Sequence, residues 1–145
     1  MFKHILLPTD GSSCAETALR ASLAFARDAG ARVTCLHVLP QFHVFSTDSA
    51  MLEDTREEFA RDGERHATAI LARVESMARE LGVPCTLMRM VSDDPFEAII
   101  EAAQTSGCDL IAMASHGRRG LKGMLLGSET QKVLTHSSIP VLVYR

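Results

Sequence analysis

Between Met113 and Ser128 the chain sets three cations (Arg118, Arg119, Lys122) and four glycines (Gly117, Gly120, Gly123, Gly127). An apolar run (Leu110, Ile111, Ala112, Met113) precedes them and a helical pattern opens at Ser128. A strand that passes through a basic, glycine-rich loop into a helix N-terminus suits an anionic phosphate. Glycines let backbone N–H groups approach a ligand closely, and the helix end adds unpaired donors with partial positive charge. A nucleotide is the first ligand to consider. Two familiar phosphate loops are excluded. There is no G-x-x-x-x-G-K-[ST], and the first strand exits through Leu7, Pro8, Thr9, Asp10, Gly11, Ser12 and Ser13 rather than through G-x-G-x-x-G. A phospho-receiver site is excluded too, because Asp10 has no second acid beside it and residues 139–145 contain no lysine.

The elements that must position this loop are legible. Three times a helical stretch meets a glycine and then a strand: Gly30 before Val33–Leu39, Gly82 before Cys85–Val91, and Gly107 before Leu110–Ala114. Glycine fits the left-handed position that ends a helix. With Ile5–Leu7 first and Ile139–Tyr144 last, five strands alternate with four helices. That alternation predicts an α/β fold, a parallel sheet covered by helices on both faces, whose strands read as continuous apolar runs. Ser13 with Glu16, Asp94 with Glu97, and Ser128 with Gln131 match capping boxes, and Pro95 takes the first helical position. Each of these helices starts at the C-terminal edge of the sheet, where open α/β folds bind ligands. The remaining helix runs from about Asp48 to Leu81 with a stripe of Leu52, Phe59, His66, Ile70, Val74, Met77 and Leu81. Gly63 in its middle marks a bend or a frayed start, and His66 reads as a packed histidine. In the irregular segment 40–50, Phe42 and Phe45 either form a lid or pack beneath the loop.

The totals narrow the class. A chain of 145 residues, 46% hydrophobic and 23% charged, is expected to form one domain over 1–145. A net charge of −3 makes the basic loop a local feature and argues against general nucleic-acid binding. No apolar run reaches the length of a membrane span. Pro8, Thr9 and Asp10 interrupt the first apolar stretch, so no signal-peptide layout is read there and a cytoplasmic location is expected. Cys14, Cys35, Cys85 and Cys108 form no C-x-x-C pair, so neither zinc nor a dithiol site is indicated. Cys35 and Cys85 read as small core residues. Cys14, in the first turn of a helix, is either a favoured thiolate or structurally inert.

Leu7 to Ser12 at the first strand, paired with Ser115, His116, Gly117 and then Leu125, Leu126, Gly127, Ser128 at the fourth, resembles the universal stress proteins. The likeness extends through Leu36, His37 and Val38 to Ile139, Pro140, Val141, Leu142 and Val143, covering the whole chain. The ATP-binding branch of that family carries Gly-x-x-Gly, nine residues, then Gly-Ser/Thr. Here the four motif positions fall on Ala114, Gly117, Gly127 and Ser128, with Arg118 to Leu126 as the nine. Ala114 is the departure: its methyl narrows the backbone approach, and binding is expected to tolerate it.

The resemblance implies an open, flavodoxin/Rossmann-like sheet of order 3-2-1-4-5, with a crevice between strands one and four. It implies ATP with Mg2+ as ligand. Main chain around Val38 would receive adenine with Met113 nearby, and Pro8, Thr9 and Asp10 would line the first-strand exit. Asp10 would contact ribose or a water on the metal. Ala114, Gly117, Gly127, Ser128, Glu129 and Thr130 would surround the phosphates with backbone and hydroxyl donors, and Arg118 would reach them. Arg119 and Lys122 are phosphate contacts or solvated charges, and His116 either senses charge or fixes the loop. The family commonly dimerises through the last strand, so a homodimer through 139–144 is expected, with no nucleic-acid or membrane partner. The implied role is a nucleotide-responsive regulator of stress survival. No general base stands out, so hydrolysis is expected to be slow at most. Two other classes compete: a nucleotide-free dimeric interaction module of the same family, and an ATPase or adenylyl-transfer enzyme.

Overall fold

Five strands and four helices alternate along the chain: β1 (His4–Pro8), α1 (Ser13–Ala29), β2 (Arg32–Leu39), α2 (Ser49–Leu81), β3 (Cys85–Val91), α3 (Pro95–Thr105), β4 (Leu110–Ala114), α4 (Ser128–His136) and β5 (Val141–Tyr144). A computed structural model describes residues 1–43, 49–117 and 126–145, the side chains of 49–52 excepted. Arg118, Arg119, Lys122 and Phe45 lie outside the described residues. The sheet order is β3-β2-β1-β4-β5 and every pairing is parallel, the architecture expected from the sequence.

Alternating side chains divide the core between the two faces of the sheet. Ile5, Leu7, Val33, Cys35 and Ala112 pack with Leu19 and Leu23 of α1 and Leu71 and Val74 of α2. Leu6, Leu36, Ile111 and Met113 pack with Ile99 of α3 and Val133 of α4. The helices that follow β1 and β4 therefore lie on opposite faces, and the sheet opens between them. Gly30, Gly82 and Gly107 close α1, α2 and α3 with φ of 65°, 69° and 71°, the left-handed termination that the sequence pattern predicts.

Five details differ from the sequence expectation. The cap of α1 is Ser12, whose Oγ accepts Ala15 N–H at 3.1 Å, so Ser13 is already helical. The sheet's edge strand β3 alternates exposed and half-buried residues, and Cys85 is only half-buried, because among the described residues no strand covers its outer side. β5 begins at Val141, not Ile139, since the Ser137 hydroxyl folds residues 137–139 into a turn by bonding both Ile139 main-chain groups (2.7 and 3.0 Å). The buried stripe of α2 is Ala67, Leu71, Val74, Met77 and Ala78, while His66 is exposed and Ile70 half-buried. Small alanines carry little periodic signal, so the larger side chains biased the reading by one position. Nor does Gly63 end or interrupt the helix. A Cβ there would stand 3.3 Å from Leu39 Cδ2, and the glycine lets α2 approach β2 closely.

One contact between α1 and α2 sets an acid response. Arg73 grips Glu16 through two bonds (2.9 and 2.7 Å) and Arg20 adds a third (3.1 Å). The Arg73 bonds first, then Arg20, hold the Glu16 carboxyl down to about 2 against an ordinary 4.5. As pH falls the unfolded chain takes up this proton first. The stabilisation is therefore complete above about 4.5 and fades towards 2. Because the pair is solvent-exposed, its contribution is small and salt-screened. Glu16→Gln is expected to lower the thermal midpoint slightly at pH 7 in low salt. The gap to the unsubstituted protein should close on acidification towards pH 2 and in high salt, as read by circular dichroism melts.

Candidate functional site

The site begins where β1 leaves β2. Arg32 N–H bonds Lys3 O (3.0 Å) and Leu36 O accepts Thr9 N–H (2.9 Å), so even-numbered residues of β2 turn their main chain towards β1. The next rung would join Val38 N–H to Thr9 O. That carbonyl instead accepts the Nδ1–H of buried His37 at 3.0 Å. Val38 N–H and C=O therefore face a gap in which, among the described residues, no strand lies. Gly11, with φ of 78°, lets the chain turn away at this point. Its N–H bonds Thr9 Oγ1 (3.2 Å), and Ser12 N–H bonds Asp10 Oδ1 (2.9 Å), which fixes how the carboxylate is turned.

The other wall comes from the exit of β4. Ser115 O accepts Gly127 N–H at 2.6 Å, and the Thr130 hydroxyl bonds Ala114 O (3.0 Å) and Ser115 O (3.2 Å). The two ends of the loop are thereby pinned to one place. Two expectations change here. Thr130 is buried and its hydroxyl proton is engaged by the strand carbonyls, so its backbone N–H is the donor it has left to offer. The cap of α4 is Gly127, not Ser128, and glycine has no side chain with which to cap. The first-turn N–H groups of Ser128, Glu129 and Thr130 are donors that a helix leaves without an internal acceptor. The Glu129 side chain turns elsewhere: its Oε2 accepts Phe96 N–H at 2.9 Å, capping the first turn of α3, whose own N-cap residue Asp94 makes no side-chain capping bond.

Two glycines record how closely the walls approach. A Cβ on Gly117 would lie 2.6 Å from Asp10 Oδ2, and one on Gly127 would lie 3.1 Å from Ser115 O. Both are tighter than side chains ordinarily accept. His116 bonds Ser115 Oγ through Nδ1 (2.9 Å), while its buried Nε2 has no hydrogen-bond partner among the described residues.

These segments enclose a cleft of about 630 Å³. Pro8, Thr9, Asp10, Val38, Met113, Ala114, His116, Gly117, Gly127, Ser128, Glu129 and Thr130 all line it, every predicted site residue except Arg118, which lies outside the described residues. Ala15, Leu36, Asp93, Pro95 and Ile99 line it as well and were not foreseen. Leu36 stands two residues before Val38 on the same strand face, a signal available from period two. Asp93 sits in the β3–α3 turn and Pro95 opens α3, at the same sheet edge as Asp10. The floor and the α3 side are apolar (Leu36, Val38, Ile99, Met113), suited to a flat ring. The α4 end offers backbone donors, suited to an anion. Among the described residues no group of three or more His, Cys, Asp or Glu could hold a metal on its own. The residues present fit a nucleotide: a cradle that two Cβ atoms would fill and a helix start without a side-chain cap.

The model of the "Universal stress protein family" matches residues 1–145. Universal stress protein MJ0577 of Methanocaldococcus jannaschii is 34% identical over 155 residues, covering 100% of this chain and 96% of its own. Its solved structure superposes with a TM-score of 0.82 at 32% identity, over 99% of this chain and 95% of that one. A universal stress protein of Thermus aquaticus is 33% identical, with 100% of both chains covered. A universal stress protein solved in complex with cAMP shares the fold, with a TM-score of 0.73 at 23% identity over 99% and 97% of the two chains. Among the described residues no helix is long and apolar enough to cross a membrane.

Proposed function

The chain belongs to the universal stress protein family, and we propose that it is one of the family's ATP-binding members, a nucleotide-responsive regulator of stress survival in the cytoplasm. The observation that carries this reading is Val38's unpaired main-chain edge, set across the β1 exit from the start of α4. One N–H and one C=O side by side complement the ring nitrogen and exocyclic amine of adenine. The apolar residues Leu36, Ile99 and Met113 take the ring faces. Asp10, held by Ser12 N–H, stands between the two ends, where ribose would lie. The N–H groups of Ser128, Glu129 and Thr130 receive phosphate oxygens, with Gly117 and Gly127 allowing close approach. A Mg2+ ion accompanying the phosphates would offset their charge, and Asp10 would hold it through water.

The reading is of binding with at most slow hydrolysis. Of the three acids among the described residues that line the cleft, Glu129 caps α3 and Asp93 holds main chain at Gln41. Asp10 is turned by Ser12 N–H to the ribose and metal-water role, so none is assigned as a general base. Pairing of two copies through segment 139–144 completes the proposal: β5 is the outer strand of the sheet and its side chains are half-buried. Heat-denaturing protein purified without added ligand, and chromatographing the supernatant, tests the nucleotide reading. Release of adenine nucleotide, together with ATP binding by calorimetry after its removal, is the expected result. Protein that neither carries nor binds adenine nucleotide would favour the interaction-module alternative instead.

A further inference from the structure

We propose that Asp93 selects the base: its carboxylate, fixed at the rim of the cleft, requires a ring edge that presents an amino group. This rests on the nucleotide reading above and goes beyond it, since Asp93 belongs to neither the β1 turn nor the glycine loop. Asp93 lies two residues past the end of β3. Ser92 N–H bonds Leu39 O at 2.9 Å and Gln41 N–H bonds the Asp93 carboxylate, so the residue stands beside Gln41, just beyond the end of β2 and three residues on from Val38. It lines the cleft in a region otherwise formed by Leu36, Val38, Pro95 and Ile99, making it the charged group at that end among the described residues.

Two donors hold it in place. Gln41 N–H bonds Oδ1 at 3.1 Å, and His43 Nε2 lies 2.7 Å from Oδ2. Because a carboxylate only accepts, His43 Nε2 carries the proton in this pair. The segment that supplies both donors is itself anchored to α2, where the Phe42 ring packs on Phe59 (5.4 Å between centroids) and lies under the Arg56 guanidinium (5.6 Å). The carboxylate is thus preorganised. Its two oxygens offer about four lone-pair sites; two are taken, and acceptor capacity remains on the cleft side.

The consequence for recognition follows from donor and acceptor count. An adenine amine has two hydrogens: Val38 C=O can accept one and Asp93 the other. Hypoxanthine carries an oxygen at that position, which would face two acceptors with no proton between them. A site built around such a bond rejects the mismatched analogue strongly, because its own polar groups are left unpaired.

The test is a calorimetric comparison of ATP and inosine triphosphate on the unsubstituted protein, Asp93→Asn and Asp93→Ala, with thermal melts of all three. The unsubstituted protein should prefer ATP by about tenfold or more. Asn can donate as well as accept, so Asp93→Asn should narrow the preference several-fold, mainly by improving inosine triphosphate, while the part carried by Val38 remains because its N–H still faces the N1–H of hypoxanthine. Asp93→Ala should narrow the ratio by weakening ATP. A purely structural Asp93 would lower both affinities together, and an unchanged ratio in both variants overturns the assignment. Failure of the unsubstituted protein to bind either nucleotide overturns the nucleotide reading itself, and this assignment with it.

Discussion

Gly127→Val should abolish ATP binding while leaving a folded protein. The backbone at Gly127 (φ −71°, ψ 159°) is one any residue adopts, so no conformational strain enters. The obstacle is space. A single Cβ already reaches 3.1 Å from Ser115 O and 3.4 Å from His116 Cα, and the two extra methyls of valine must go somewhere. The N–H of Gly127 is tied to that same Ser115 carbonyl at 2.6 Å, so the wall cannot retreat without releasing the start of α4. We expect at least about a 100-fold loss of affinity, equivalent to roughly 2.7 kcal/mol. The accompanying fall in stability should be about 1 kcal/mol, because valine is a poorer N-cap than glycine. Gly127→Ala should fall between the two. Calorimetry with ATP and urea unfolding of the three proteins read both quantities, and full affinity in Gly127→Val would refute the placement of phosphate at α4.

The second large effect is at Gly117, where the added atom meets a functional group rather than a wall. A Cβ there would sit 2.6 Å from Asp10 Oδ2, so Gly117→Ala must swing the carboxylate aside and strain its bond to Ser12 N–H. The expected loss of ATP affinity is about tenfold or more. The informative measurement is the double-substitution cycle. In an Asp10→Ala background the clashing oxygen is gone, so Gly117→Ala should weaken binding no further than Asp10→Ala alone. Additive losses would mean that Gly117 approaches the ligand directly and that Asp10 has another task. Unlike Gly127→Val, this substitution leaves the anchoring bonds of Ser115 and Thr130 untouched, and the thermal midpoint should barely move.

The elements and the parallel sheet were legible without coordinates because they depend on local, periodic signals, whereas the strand order and most cleft residues followed from the family resemblance. Glycines 30, 82 and 107 punctuate helix ends by a backbone requirement that no other residue meets as easily. Apolar strands between amphipathic helices admit few arrangements besides a parallel sheet. The loop after β4 announced its chemistry through composition, and Asp10 its place through the strand that ends just before it. What composition does not encode is which partner a polar atom chooses. Ser13 and Ser128 read as caps on paper, yet Ser12 and Gly127 hold those places: the Ser12 hydroxyl takes Ala15 N–H, and Gly127 N–H reaches Ser115 O across the β4 exit. Thr130, read as a phosphate donor, gives its hydroxyl proton to strand carbonyls sixteen and fifteen residues earlier. Gly63 yields to Leu39, a neighbour in space rather than in sequence. Asp93 carries no motif and enters the cleft only because β3 pairs with β2 in one register. By itself the sequence determined the elements, their order and the loops with chemical character, all properties of neighbouring residues. Tertiary structure alone decided which main-chain groups stay unpaired, as at Val38, since that depends on where a second strand stops.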